Sequence, residues 1–164
     1  MRTKILVVED DTAIRGLIHM YLEKSGFESF AANSAEKALD ILEDQEIGIV
    51  LTDIQLPGLN GLELTKIIRR NYHSDVIIMT GYSLDYTIEE AMARGASDLI
   101  IKPVRLEDLL LRINVVLKKR SEKKENSRKL EELKNLTIRD DLTGLLNSIQ
   151  FYSHISQEVD RSNR

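Results

Sequence analysis

Ile47 to Gly61 reads IGIVLTDIQLPGLNG, an apolar run that ends on an acid and is followed by a forced turn. Ile47, Ile49, Val50 and Leu51 carry no polar alternation. Such a run suits a strand buried on both faces, as in a parallel sheet with helices above and below. Asp53 stands where that strand runs out. Pro57-Gly58 imposes a turn. Asn60, with Glu63 three residues on, has the pattern of a helix N-cap with its reciprocal acid. A carboxylate is thereby expected at the carboxyl end of a central strand, where open α/β sheets hold their ligands.

The same unit recurs on either side. Lys4 to Val8 (KILVV) predicts a first strand that delivers Glu9, Asp10 and Asp11 at its end. Asp11 is placed to cap a helix from Thr12 to about Ser25, with Ile14, Leu17, Ile18, Tyr21 and Leu22 on one face. Gly26 stops it. Phe27 to Ala32 is a weaker strand suited to an edge. Ser34 caps a second helix with Ala35, Ala38, Leu39 and Leu42 inward. After the central strand come a helix over 61–72 with Leu64, Ile67 and Ile68 inward, a strand over Val76–Met79 ending at Thr80-Gly81, and a short helix over 84–93. Asp98 to Ile101 is the last strand, ending at Lys102-Pro103, and a fifth helix begins near Arg105. Five βα units with short loops predict an α/β fold, a doubly wound five-stranded parallel sheet of order 2-1-3-4-5. In that order the acids after strand one face Asp53, and Thr80 and Lys102 arrive at the same rim.

Composition narrows the class. The chain has 164 residues and no Cys, which excludes disulfides and thiolate metal sites. No apolar run is long enough for a signal peptide or a membrane span, so a cytoplasmic protein without membrane contact is expected. Residues 1–117 carry a net charge of −7 and residues 118–164 one of +3, which suggests two different jobs. The acidic first part argues against direct nucleic-acid binding. No P-loop is present, and the acidic loop after strand one is the wrong chemistry for a flavin phosphate.

Glu9, Asp10 and Asp53 would repel one another in one crevice unless a cation joins them. Mg²⁺ is the natural partner for such oxygen ligands. With Lys102 as a fixed positive charge and Thr80 as a hydroxyl, the set has what phosphoryl transfer onto a carboxylate requires. The motifs ILVVEDDTAIR, LTDIQLPGLNG, IIMTGY and GASDLIIKPV together resemble the receiver domain of two-component response regulators, over residues 1 to about 117. The resemblance implies a flavodoxin-like sheet and makes Asp53 the phosphoacceptor for a sensor histidine kinase. It gives Asp10, Asp53 and the Gln55 carbonyl as Mg²⁺ ligands, with Glu9 acting mainly through water, since Arg15 fixes the register of the acidic pair. Thr80 becomes the switch hydroxyl, and Lys102 the phosphate-binding lysine before a cis Pro103. The family often has an aromatic ring three residues before the lysine. Here that residue is Leu99, and Tyr82 supplies a ring near the pocket mouth instead. The alternative from another class is a receiver-like adaptor that is never phosphorylated.

Leu106, Leu109, Leu110, Ile113, Val116 and Leu117 form the stripe of the fifth helix. Lys118 to Lys129 then holds seven basic and two acidic residues and no apolar side chain. A heptad frame through Leu109, Val116 and Leu130 is interrupted at Lys123, so a weak homodimer through this extended C-terminal helix is expected. Residues 140–151, DDLTGLLNSIQF, resemble the opening of GGDEF diguanylate cyclase domains, matching at Asp140, Leu142, Thr143, Gly144, Leu145, Asn147 and Phe151. Ser148 and Ile149 replace the usual arginines. The expected organisation is a receiver over 1–117, a helical linker over 118–139 and a truncated or degenerate GGDEF-like start over 140–164. The only catalysis this implies is the receiver's own phosphorylation and dephosphorylation, with no cyclase activity from this chain.

Overall fold

A computed structural model of the chain describes residues 2–81 and 88–138. Tyr82, the 140–151 motif and the opening of the helix expected over 84–93 lie outside the described residues. The elements alternate as β1 (Lys4–Val8), α1 (Thr12–Lys24), β2 (Glu28–Ala32), α2 (Ala35–Asp44), β3 (Ile49–Asp53), α3 (Gly61–Asn71), β4 (Asp75–Thr80), α4 (Ile88–Ala93), β5 (Asp98–Ile101) and α5 (Leu106–Ile138). The strands form one parallel sheet of order β2-β1-β3-β4-β5, the flavodoxin-like arrangement. β3 lies at its centre with all five residues buried, which is why its sequence has no polar alternation.

The pleat divides the core between two faces. Leu6, Val8, Val50, Val76 and Ile78 pack with Ala38 and Leu42 of α2 and Leu64 and Ile68 of α3. Ile5, Val7, Ile49, Leu51, Ile77 and Met79 pack with Ile18 and Leu22 of α1 and Leu109, Ile113 and Val116 of α5. Local chemistry starts the helices where expected. Asp11 accepts from the Ala13 and Ile14 amides, Ser34 accepts from Lys37, and Asn60 and Glu63 complete a reciprocal capping box. Gly58, at φ +77°, makes the turn that the Pro-Gly pair announces.

Two expected inward positions and the heptad frame are corrected. Leu17 is 52% exposed, because the buried stripe of α1 is narrower than its apolar one. Ile67 is only half-buried, and Leu62 and Thr65 take the inward positions of α3. Thr65 is tolerated there because its hydroxyl donates to the Gly61 carbonyl at 2.7 Å. The heptad frame through Leu109 and Val116 also fails, since both side chains are buried in their own sheet's core. The exposed apolar residues of α5 are instead Leu111, Val115, Leu130 and Leu133.

The chain divides into two units, Met1–Leu117 and Lys118–Arg164. The first carries the sheet. In the second, the helix is exposed from Ser121 to Leu133, with Lys118–Glu122 and Glu125–Lys129 ion pairs at i,i+4 spacing. None of the described helices is long and apolar enough to cross a membrane.

Candidate functional site

The carboxyl ends of β1, β3 and β5 bring together residues far apart in sequence. Glu9 follows β1 and is 1% exposed, and Asp53 closes β3 at 6%. Asp10 follows Glu9 and is exposed. One carboxylate oxygen from each of the three lies within 4.8 Å of the others, the one such group among the described residues. Lys102, just past β5, reaches into this cluster. Its Nζ donates to Glu9 Oε2 at 2.8 Å and to Asp53 Oδ2 at 2.7 Å. The lysine backbone is held by its own N–H, which donates to the Thr80 carbonyl at 2.6 Å. The Lys102–Pro103 bond is cis, as expected.

Burial shapes the ionisation here. Desolvation pushes the Glu9 carboxyl above its ordinary value, and the Lys102 hydrogen bond and charge offset only part of that rise. Burial pulls Lys102 down, but hydrogen bonds and charges from Asp53 and Glu9 outweigh it and hold the ammonium above its ordinary value. Asp11 stands apart from the cluster. The Ile14 and Ala13 amides hold its carboxyl below the usual range, so this third acid of the run is a helix cap.

The remaining expected residues lie at the rim. Gln55 directs its N–H back to Asp53 Oδ1 at 3.3 Å. Thr80 ends β4, and its hydroxyl donates to the Gly81 carbonyl at 3.0 Å rather than into the cluster. Leu99 is half-buried and packs with the α2/α3 face of the core, as an aliphatic side chain should. Gly61 sets how closely α3 approaches Asp53. Its N–H donates to Ile54 O at 3.0 Å, and a Cβ there would stand 1.9 Å from the Asp53 carbonyl oxygen. Sequence reasoning missed that constraint, although a Gly at the first position of a capped helix was its signal.

The donor set suits a small hard cation. Three carboxylates and one ammonium leave two negative charges, which one divalent ion balances. Oxygens about 2.1 Å from an octahedral Mg²⁺ lie at most about 4.2 Å apart. The three carboxylate oxygens lie within 4.8 Å of one another, so at most small side-chain rotations are needed to meet that limit.

The profile of the response regulator receiver domain matches residues 5–114. The heme response regulator HssR of Staphylococcus saprophyticus is 33% identical over 117 residues, covering 71% of this chain and 52% of that protein. The response regulator protein FleR of Pseudomonas aeruginosa is 39% identical over 111 residues, covering 67% of this chain and 24% of that protein. The chain thus spans about half the length of the first relative and about a quarter of the second. Among solved structures, a response regulator receiver domain protein from Clostridium thermocellum is 35% identical with a TM-score of 0.67, over 73% of this chain and 97% of that one. NtrX from Brucella abortus, in complex with ADP, is 34% identical with a TM-score of 0.71, over 77% of this chain and 30% of that one. Receiver domains of this kind bind Mg²⁺ at an acidic pocket and take a phosphoryl group from sensor histidine kinases. A profile match over most of the chain and relatives above 30% identity place the sheet and its acidic rim in one family: the chain belongs to the response regulator receiver domains of two-component signalling.

Proposed function

We propose that Asp53 accepts a phosphoryl group from a sensor histidine kinase in a Mg²⁺-dependent reaction, and that α5 relays the change to an output domain. The observation that carries this is Lys102 bridging the buried Asp53 and Glu9 within a three-carboxylate cluster. Asp10, Asp53 and the Gln55 carbonyl would hold the ion, and Glu9 would act through water. The bound ion supplies charge neutralisation between the acids and the incoming phosphoryl oxygens.

In the transfer, an Asp53 carboxylate oxygen forms a bond to phosphorus while the phosphorus–nitrogen bond of the phosphohistidine breaks. The electron pair leaves with the imidazole, and an acyl phosphate remains. Lys102 is already within hydrogen-bond range of Asp53, so it holds a phosphoryl oxygen after a small shift of its flexible stem. Thr80 takes another by turning its hydroxyl away from Gly81. Leu99 can only pack, and Tyr82 shields the acyl phosphate from water.

The domain reading is a receiver over 1–117, a helical linker over 118–139 and a truncated or degenerate start of a GGDEF-like output over 140–164, supported by the charge change at Lys118 and the 140–151 motif. The output this motif points to is of the diguanylate cyclase class, and the setting is the cytoplasm. The linker forms a weak homodimer. Leu111, Val115, Lys118, Glu122, Glu125, Lys129 and Leu133 recur at spacings of four and three, so the exposed leucines flank a charged middle.

Incubation with acetyl phosphate and Mg²⁺ should add one phosphate to the intact mass, and Asp53→Asn should abolish it. An unmodified wild-type chain with donor and metal present would falsify the phosphoacceptor role and favour the adaptor reading.

A further inference from the structure

We propose that Arg15 is a positioning residue for the metal-binding acids, holding the bend that turns Glu9 and Asp10 toward one ion. The proposal rests on the Mg²⁺ reading of that pocket and adds a residue to it.

Successive side chains of a strand point to opposite sides of the sheet. Glu9 and Asp10 are successive, yet each places an oxygen within 4.8 Å of the other and of Asp53. The backbone must therefore leave strand geometry between them, and it does: β1 ends at Val8, and Asp10 sits in a bend before α1. Arg15, half-buried in the second turn of α1, reaches back over this bend. Its Nη1 donates to the Glu9 carbonyl at 2.7 Å and to the Asp10 carbonyl at 3.1 Å. Its Nη2 donates to Thr12 Oγ1 at 3.2 Å. One planar group thus fixes two consecutive peptide planes, and with them the directions in which both acids leave the backbone. From the other side, the Glu9 N–H donates to the Ala32 carbonyl at 3.1 Å, and the Asp11 cap anchors the following turn.

A competing role for Arg15 is that of a counter-charge, and the two roles give opposite signs. A fixed positive charge beside the site opposes a divalent cation, so its removal would tighten binding. A group that preorganises the acids helps the cation, so its removal weakens binding. Outer residues that orient metal ligands are typically worth 10-fold or more in affinity.

Calorimetric titration of the full chain with Mg²⁺ decides between them, with Arg15→Ala and Arg15→Lys beside wild type and thermal unfolding recorded for each. We expect Arg15→Ala to weaken Mg²⁺ binding about 10-fold. Arg15→Lys keeps the charge but loses the fork, and should weaken binding about 3-fold or more. Both losses should persist at high salt, where a through-space charge effect fades. If Arg15→Ala does not fold, Arg15→Lys carries the comparison. An unchanged or tighter affinity in the folded variants overturns the positioning role and leaves the Mg²⁺ reading intact. A wild-type chain that binds no Mg²⁺ removes both.

Discussion

Gly61 tests whether the approach of α3 to the end of β3 fixes the site. A Cβ at that position would lie 1.9 Å from the Asp53 carbonyl oxygen, 2.8 Å from its carbon and 3.0 Å from the Ile54 Cα. Carbon and carbonyl oxygen rest about 3.3 Å apart, so about 1.4 Å of separation must be found. All three opposing atoms are backbone of a fully buried strand end or the loop it opens, and none can rotate away. Alanine is the better helix former by about 1 kcal/mol. Overpacking against a rigid backbone costs about 3 kcal/mol, so the clash wins. The control is Gly16→Ala in α1, where a Cβ meets nothing within 4 Å. That change should stabilise by about 0.5–1 kcal/mol. Urea unfolding followed by circular dichroism measures both, with slopes compared so that only midpoint shifts are read as stability. Gly61→Ala should lose about 2 kcal/mol net. It should also weaken Mg²⁺ binding, because the displaced backbone carries Asp53. A Gly61→Ala protein as stable as wild type, with unchanged metal affinity, would refute the close approach as a determinant of the site.

Lys102→Met should destabilise the metal-free protein by about 2–3 kcal/mol, near the low end for a broken buried pair because a fifth of the lysine side chain is in water; Mg²⁺ at 100 times its Kd should return about 2.7 kcal/mol. In wild type the folded-state value of Lys102 is raised above 10.5. Its contribution is therefore complete below pH 10.5 and is lost as pH climbs through the raised value, so alkaline unfolding curves of wild type and Lys102→Met should converge there. For the linker, sedimentation equilibrium of the full chain should show a monomer–dimer equilibrium that tightens with beryllofluoride and with salt, since each exposed like-charge contact opposes pairing by only about 0.3 kcal/mol and is screened. Replacing Leu111 and Leu133 by Glu should leave a monomer; a wild-type monomer with the phosphate mimic bound would refute the dimer.

What could be read from sequence was local chemistry and uninterrupted burial. The Asp11, Ser34 and Asn60 caps were legible because each side chain bonds amides within three residues. β3 was legible because a strand covered on both faces has no room for polar alternation. From those strand ends and the sheet order, the meeting of Glu9, Asp10, Asp53 and Lys102 followed. The width of a buried helical stripe was not legible. Leu17 has the spacing of a core residue, yet whether a residue on the stripe's flank is covered depends on neighbouring elements. The same ambiguity misassigned Leu109 and Val116, because one spacing serves equally a helix packing on its own sheet and a helix packing on a partner. Arg15 helped to align the motif but gave no sign of its contacts, which depend on how the chain bends after Val8.

On the proposed reading, the connection between chemistry and output would run through Lys102. Its side chain bridges two acids whose positions belong to β1 and β3, and its backbone is bonded to the end of β4. Only Pro103, Val104 and Arg105 separate it from the start of α5. A phosphoryl group on Asp53 brings negative charge to the place where Lys102 now contacts the bare carboxylate, so the ammonium must move with it. Leu109, Ile113 and Val116 are fully packed against the sheet and cannot absorb that movement by loosening without exposing apolar surface. The alternatives are a shift of the α5 segment up to Leu117 or a change at the three-residue joint before it. A bias of about 1–3 kcal/mol suffices to move a balanced two-state element. The proposed helix pair, opposed by its own charges, is such an element, whereas a tightly zipped coiled coil would not respond to a bias of that size.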